Sequence, residues 1–384
     1  MDFIHYVSKL IVKFLLHIFW IFPVRKNRIT LLNRMSFTYG DNLKYLCKSV
    51  LENNAFDIEI IFPLKPNAEI PQIPIINVKP FSLKYFRLLL TSSVIITNSV
   101  GISYLPIRKA QIVINTWHGG GPYKKTGLSV YNSYWMKKEN ILNDKVTTYM
   151  LSSCEYCTKY EVPALGISHE KCINSGMPRN DIFFKNEPQI IEKVKTSFDI
   201  KDNEKIILYA PTYRGNEWVG SKRFYKSDIN YTMLLRTLEK KFGGKWRFAL
   251  RLHPGLKDVL IEDKEILNFT TYPDMQELLY VADVVITDYS SLMWDFSLTH
   301  KPCFLYAPDI DDYEKTRGFY MPSAKWPYPI ARNNDELNTI IQTFSQRDYE
   351  QSIINHHIES GSYEKGNACD ITLKLIEEHI NRSK

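Results

Sequence analysis

Two histidines stand where apolar runs stop. Asn115-Thr116-Trp117-His118-Gly119-Gly120-Gly121-Pro122-Tyr123-Lys124-Lys125 follows Ile112-Val113-Ile114, and Arg251-Leu252-His253-Pro254 follows Phe248-Ala249-Leu250. An imidazole with an ordinary pKa of about 6.5 can take a proton from an attacking hydroxyl near neutral pH. Gly119 and Gly120 let backbone come close to a substrate, and Lys124 and Lys125 add positive charge beside it. A turn histidine bonded to backbone is the competing reading of His118, and its glycine and lysine neighbours favour chemistry. Arg251 and His253 alternate onto one side of a strand, which presents a cation and a titratable donor together. That pair suits a diphosphate whose charge grows as a bond breaks, and a surface ion pair is the other use of Arg251.

Phosphate chemistry is suggested again by Val284-Val285-Ile286-Thr287-Asp288-Tyr289-Ser290-Ser291, where an apolar run ends in small hydroxyl residues that open a helix. Thr287, Asp288, Ser290 and Ser291 are candidate caps, and unpaired amides at such a helix start meet anions. An ordinary capped strand-turn-helix explains these residues equally well. Arg214, in Ala210-Pro211-Thr212-Tyr213-Arg214, and Arg317, in Arg317-Gly318-Phe319-Tyr320, are further cations at strand or loop ends. Glu277 can accept a ribose hydroxyl or cap its own helix. Asp309-Ile310-Asp311 matches a minimal metal-binding DxD, but acidic loops match it often, and arginine, histidine and a helix end can do the same charge work. Neither His169 nor His356-His357 shows ligand spacing, so no metal and no cofactor is assigned.

Apolar runs alternating with amphipathic stretches must position these residues. In the first half, strands are expected at 28–32, 57–62, 93–97 and 111–115, with helices at 41–52 and 81–90; in the second half, strands at 206–210, 247–252, 284–287 and 302–306, with a helix at 231–242. This is the βαβ rhythm of a parallel sheet, whose ligands sit beyond the carboxyl ends of the strands. At 384 residues the chain exceeds one ordinary core. The expectation is an α/β protein of two Rossmann-like doubly wound domains facing across a cleft, 25–185 and 186–384. Whether the terminal helix at 371–379 packs back on the first domain is open.

Residues 1–24 read as an amphipathic helix. Phe3, Val7, Leu10, Ile11, Phe14, Leu15, Ile18 and Phe19 recur at helical spacing, while Lys9, Lys13 and His17 lie elsewhere. Two mid-helix lysines are costly at a bilayer centre, so an interfacial helix is expected, aided by Arg25, Lys26 and Arg28 at anionic headgroups. Docking on the chain's own second domain is the alternative. The net charge of +7 favours anionic partners but is too dispersed to argue for nucleic acid. Six scattered cysteines, with a lone Cys154-x-x-Cys157, read as reduced thiols.

Taken together, Thr116-Trp117-His118-Gly119, Met177-Pro178-Arg179-Asn180-Asp181, Leu208-Tyr209-Ala210-Pro211-Thr212-Tyr213-Arg214, Arg251-Leu252-His253-Pro254, Thr287-Asp288-Tyr289-Ser290-Ser291 and Arg317-Gly318-Phe319-Tyr320 resemble the CDP-glycerol glycerophosphotransferase family of teichoic acid and capsule synthesis. The resemblance covers roughly residues 100–370. It implies a GT-B fold, attachment to the cytoplasmic membrane face as a peripheral protein, and transfer of glycerol phosphate from CDP-glycerol to a hydroxyl of a lipid-linked saccharide or polyol-phosphate acceptor, with release of CMP. It also implies that His118 is the acceptor-side base, that His253 and Arg251 act on the donor diphosphate, that Thr287, Ser290 and Ser291 hold phosphate, and that Arg317 adds charge. Many members continue Trp-His-Gly with Thr-Pro-Leu-Lys-Lys, whereas here Trp117-His118-Gly119 continues with Gly120-Gly121-Pro122-Tyr123-Lys124-Lys125, one residue longer. A transferase using CDP-ribitol or a nucleotide sugar is the nearest rival, and a non-catalytic nucleotide-binding scaffold at the membrane is the rival from another class.

Overall fold

The computed structural model describes residues 2–53, 57–131, 133–212, 229–252, 261 and 263–382. The chain forms two compact units, residues 1–184 with 360–384, and residues 185–359.

The first unit runs α1 (Asp2–Leu16), β1 (Arg25–Leu32), α2 (Asp41–Asn53), β2 (Glu59–Pro63), β3 (Ile76–Val78), α3 (Leu83–Leu90), β4 (Ser92–Thr97), β5 (Ile112–Asn115), α4 (Tyr134–Val146), β6 (Tyr149–Ser152), α5 (Val162–Ala164) and β7 (Cys172–Asn174). Its seven strands are all parallel, in the order β3-β2-β1-β4-β5-β6-β7. Side-chain alternation sends Ile29, Leu31, Val94, Ile96, Ile112 and Ile114 to one face, where they meet Leu43, Leu46 and Val50 of α2. Leu32, Ile95 and Val113 go to the other, against Tyr85, Leu88 and Leu89 of α3 and Val146 of α4. Because both faces are covered, the central strands read as unbroken apolar runs. Ser82 starts α3 and Ser133 starts α4, each accepting an amide from three residues on.

The second unit contains α6 (Pro188–Ser197), β8 (Glu204–Tyr209), α7 (Tyr231–Phe242), β9 (Lys245–Leu250), β10 (Leu267–Asn268), α8 (Met275–Val281), β11 (Val284–Thr287), α9 (Leu292–Ser297), β12 (Cys303–Tyr306), α10 (Ile310–Thr316), β13 (Ile330–Ala331), α11 (Asn334–Thr343) and α12 (Gln346–Glu359). Its sheet is also parallel, ordered β10-β9-β8-β11-β12-β13. The last helix, α13 (Ala368–Arg382), belongs to the first unit, where Cys369, Leu373, Ile376 and Ile380 complete the core beside α2.

Strand order reverses between β1 and β4 in one sheet and between β8 and β11 in the other. Chain ends diverge at such a switch point and leave a crevice for ligands. Most of the polar motifs emerge at or beside these two points.

The amino-terminal helix docks through a mixed set of side chains, with Leu16 and Phe19 buried in the first unit's core and His17 exposed. Lys9 pairs with Glu139 of α4, the rings of Phe3 and Tyr6 meet Trp135, and a 3-10 turn (His17–Ile21) tucks Phe19 against Phe86. Burial, reinforced by the Lys145 charge, lowers the Lys13 ammonium below its usual pKa. Much of its apolar surface nevertheless faces outward, with Ile4 73%, Phe14 76% and Ile18 65% exposed. The stretch Phe3–Ile21 is long and apolar enough to cross a membrane, by length and composition. Arg28 departs from the expectation of a headgroup-facing cation: it is a β1 residue whose Nε donates to Glu59 at 2.6 Å and whose Nη1 donates to Thr91 at 2.5 Å.

Candidate functional site

In the first unit, β5 delivers His118 through a strained turn. Trp117 sits at φ 55°, a left-handed conformation costly for a bulky side chain. Its amide donates to Asn115 Oδ1 at 2.8 Å, and Asn42 Nδ2 donates to its carbonyl at 3.0 Å. The Trp117 ring lies against the His118 ring with centroids 4.0 Å apart. Its indole N–H donates to Glu161 Oε1 at 3.3 Å. Glu161 ends a π-helical turn (Cys157–Glu161), and burial pushes its carboxyl up to about 7 against the hydrogen bonds from Cys157 and Trp117 and the charge of Lys124.

His118 Nδ1 lies 3.0 Å from the carbonyl oxygen of Asn98. A carbonyl only accepts, so Nδ1 carries the proton and Nε2 is the acceptor nitrogen. Desolvation lowers the ring's pKa, opposed by the Asn98 carbonyl and Asp41 and reinforced by Arg179 and Lys124. Burial therefore favours the neutral imidazole, the form a general base needs. Arg179 Nη1 donates both to the His118 carbonyl at 2.8 Å and to Asp41 Oδ1 at 2.7 Å, and Asn98 Nδ2 donates to Asp41 Oδ2 at 2.8 Å. Burial pushes the Asp41 carboxyl up, but the Arg179 charge and these hydrogen bonds hold it below its usual value.

Gly119 and Gly120 are buried, and the Gly120 carbonyl accepts from Ser153. Lys124 and Lys125 are half-buried, and Lys124 acts electrostatically on both His118 and Glu161. Asp41, Asn42, Asn98, Glu161 and Arg179 were not singled out by residue type and spacing. The one sequence signal they share is position, each being a polar residue near the end of a strand or start of a helix.

In the second unit, the motif after β11 is bound to the end of β8. Thr287 Oγ1 donates to the Ala210 carbonyl at 2.8 Å, and Asp288 accepts the Thr212 hydroxyl at 2.8 Å and amide at 3.0 Å. Both side chains are buried, so they brace the switch point. Ser290 and Ser291 are half-buried at the start of α9, which is only six residues long. Arg251 follows β9, and its Nη1 donates to the carbonyls of Phe269 at 3.1 Å and Tyr272 at 2.8 Å. Burial lowers this guanidinium to about 10, so it remains charged. Glu277 accepts from Lys193 at 2.7 Å and from the Tyr272 hydroxyl, while Asp274 caps α8. Arg317 stands at the carboxyl end of α10. Arg214 and His253 lie outside the described residues.

Among the described residues no three His, Cys, Asp or Glu side chains gather as a metal site. Asp309 accepts the Tyr289 hydroxyl at 2.6 Å, and Asp311 pairs with Arg332 at 3.4 Å. His356 and His357 are packed beside Trp294, and desolvation lowers their rings to about 4 and about 3. All six cysteines are free thiols.

Residues 14–378 match the sequence model of the CDP-glycerol:poly(glycerophosphate) glycerophosphotransferase family. The chain is 30% identical over 317 residues to a teichoic acid glycerol-phosphate transferase of Staphylococcus aureus, an alignment covering 78% of this chain and 79% of that one. It is 30% identical over 345 residues to a teichoic acid poly(glycerol phosphate) polymerase of Bacillus spizizenii, covering 85% and 86%. Against the polymerase of the same description from Staphylococcus epidermidis, 28% identical, it spans 44% of that protein's length. The fold is that of the wall teichoic acid polymerase TagF, with a TM-score of 0.85 at 23% identity, covering 100% of this chain and 97% of that one. The chain therefore belongs to the CDP-glycerol:poly(glycerophosphate) glycerophosphotransferase family, and it is an enzyme of that transferase class.

Proposed function

We propose that the protein transfers glycerol phosphate from CDP-glycerol to a hydroxyl of a lipid-linked saccharide or polyol-phosphate acceptor, releasing CMP, in teichoic acid or capsule polymer synthesis. One observation carries the reading: His118 Nδ1 lies 3.0 Å from the Asn98 carbonyl, which leaves Nε2 as the proton acceptor of the neutral ring that burial favours. The acceptor hydroxyl gives its proton to Nε2 as its oxygen bonds to the glycerol-bearing phosphorus, and the bond from that phosphorus to the CMP oxygen breaks. Lys124 and Lys125 attract the anionic acceptor. Arg251, His253, Arg214, Arg317, Ser290 and Ser291 are the second unit's candidates for the departing phosphate, with Thr287 and Asp288 bracing them and Glu277 near the nucleotide's ribose.

The exposed apolar side of Phe3–Ile21 supports peripheral attachment to the cytoplasmic membrane face, where a lipid-linked acceptor is presented. CDP-ribitol is the second donor to consider, because poly(ribitol-phosphate) polymerases also match, one from Bacillus spizizenii at 26% identity over 88% of this chain. A donor panel of CDP-glycerol, CDP-ribitol and nucleotide sugars tests the reading. CMP released with CDP-glycerol at a kcat/KM at least tenfold above the others supports it; release from another donor alone refutes it.

A further inference from the structure

His118 is held at two points, and both holds converge on one carboxylate. The ring is held through Nδ1 by the Asn98 carbonyl, and the Asn98 side chain is held by Asp41 Oδ2. The His118 backbone is held through its carbonyl by Arg179, which is held by Asp41 Oδ1. We propose that Asp41 is the positioning residue for the transfer reaction, setting the tautomer and aim of His118 through Asn98 on the ring and Arg179 on the backbone. The proposal rests on His118 being the proton acceptor.

Three features of Asp41 support this role. It opens α2 at φ 57°, a left-handed conformation that persists in a non-glycine residue only when its surroundings enforce it. Its two oxygens accept from two different elements, the loop after β4 and the turn Pro178–Phe184, so one side chain draws three chain segments together. Its environment keeps it ionised, so it brings a negative charge to the ring on which positive charge develops. Among the described residues, the other charged groups facing His118 are Arg179, from that turn, and Lys124, from the loop after β5, and both oppose protonation. Glu161 stands beyond Trp117.

Trading the carboxylate for an amide keeps the shape, removes the charge and places a donor where one acceptor was. The deciding experiment uses the full chain, CDP-glycerol, and whichever detergent-solubilised lipid-linked saccharide or polyol phosphate gives CMP release with the wild-type protein. CMP release is followed against pH for wild type, Asp41→Asn, Asp41→Glu and Arg179→Gln, and nitrogen NMR reports the His118 tautomer. In Asp41→Asn, kcat is expected to fall tenfold or more while KM for CDP-glycerol stays within threefold. Losing the anion disfavours the imidazolium, so the acid limb of the kcat profile moves to lower pH. Losing the cation in Arg179→Gln moves it to higher pH. Asp41→Glu restores the limb and part of the rate, and the Nδ1–H tautomer loses population only where the charge is lost.

A wild-type rate and tautomer in Asp41→Asn overturn the proposal. So does a lower rate with neither the limb nor the tautomer moved, which marks a merely structural carboxylate. Should Asp41→Asn fail to fold, the Asp41→Glu and Arg179→Gln profiles and tautomers decide alone. A His118→Ala control separates the two ideas. Near-normal turnover there removes the proton-acceptor reading, whereas an inactive control beside an unaffected Asp41→Asn removes only the positioning role.

Discussion

The Asp181 carboxylate closes the amino end of α13, with Oδ1 accepting the Ala368 amide at 3.0 Å and Oδ2 the Cys369 amide at 2.8 Å. Two residues earlier in the same turn, Arg179 holds the His118 carbonyl. Between them, the Asn180 side chain donates to Glu364 at 2.9 Å. One short turn thus fastens the last helix of the chain and the candidate base together. Asp181→Ala is expected to destabilise the first unit by about 1–2 kcal/mol, the loss of a helix cap, as read by urea unfolding. Asp181→Asn, which keeps one acceptor, should lose less.

His118→Ala should lower turnover about 10²-fold or more, the usual scale of a general base, while the affinity for CDP changes by less than threefold. CMP release and calorimetric CDP titration measure the two quantities. A parallel loss of CDP binding would move His118 from proton transfer to donor binding.

Glu161 carries a pH-dependent effect on stability. Its folded pKa, raised by burial to about 7, exceeds the ordinary carboxyl value, so the folded state holds the proton more tightly than the unfolded state. Its contribution is fully present below about pH 4.5 and is lost as pH rises through about 7. Glu161→Gln keeps an acceptor for the Trp117 indole without the buried charge. Its melting temperature should exceed wild type by several degrees at pH 8 and match it near pH 4.5, by calorimetry.

The outward side of the amino-terminal helix should be a lipid contact. Phe14→Glu with Ile18→Glu is expected to weaken binding to phosphatidylglycerol-containing vesicles tenfold or more, since each apolar side chain contributes about 1.5–3 kcal/mol on full burial. The unfolding midpoint should stay put, because both side chains are already exposed. Unchanged vesicle binding would assign this surface to another partner.

How much could be read beforehand follows from burial. The interiors of β1, β4, β5, β8, β11 and β12 are covered on both faces and so appear as apolar runs in the sequence. The short β3, β10 and β13 and the partly exposed β7 offer too few apolar residues to stand out. His118 stood out as a candidate because glycines and lysines surround it. Asp41 did not, because its partners Asn98 and Arg179 lie 57 and 138 residues away and only the fold brings them together. Thr287 and Asp288 show the converse limit. A hydroxyl or carboxylate at a strand end has the same spacing whether it meets a phosphate or a neighbouring strand, and these two bond to Ala210 and Thr212. Arg28 was similarly ambiguous, and its partner Glu59 lies on the adjacent strand β2.

Mass spectrometry of the product tests glycerol phosphate transfer most directly. Purified protein is incubated with CDP-glycerol and a panel of lipid-linked saccharides and polyol phosphates. The expected result is an acceptor whose mass rises by one glycerol phosphate unit or whole multiples of it, with one CMP released per unit. A product carrying ribitol phosphate or a sugar from another donor, with no increment from CDP-glycerol, would contradict it.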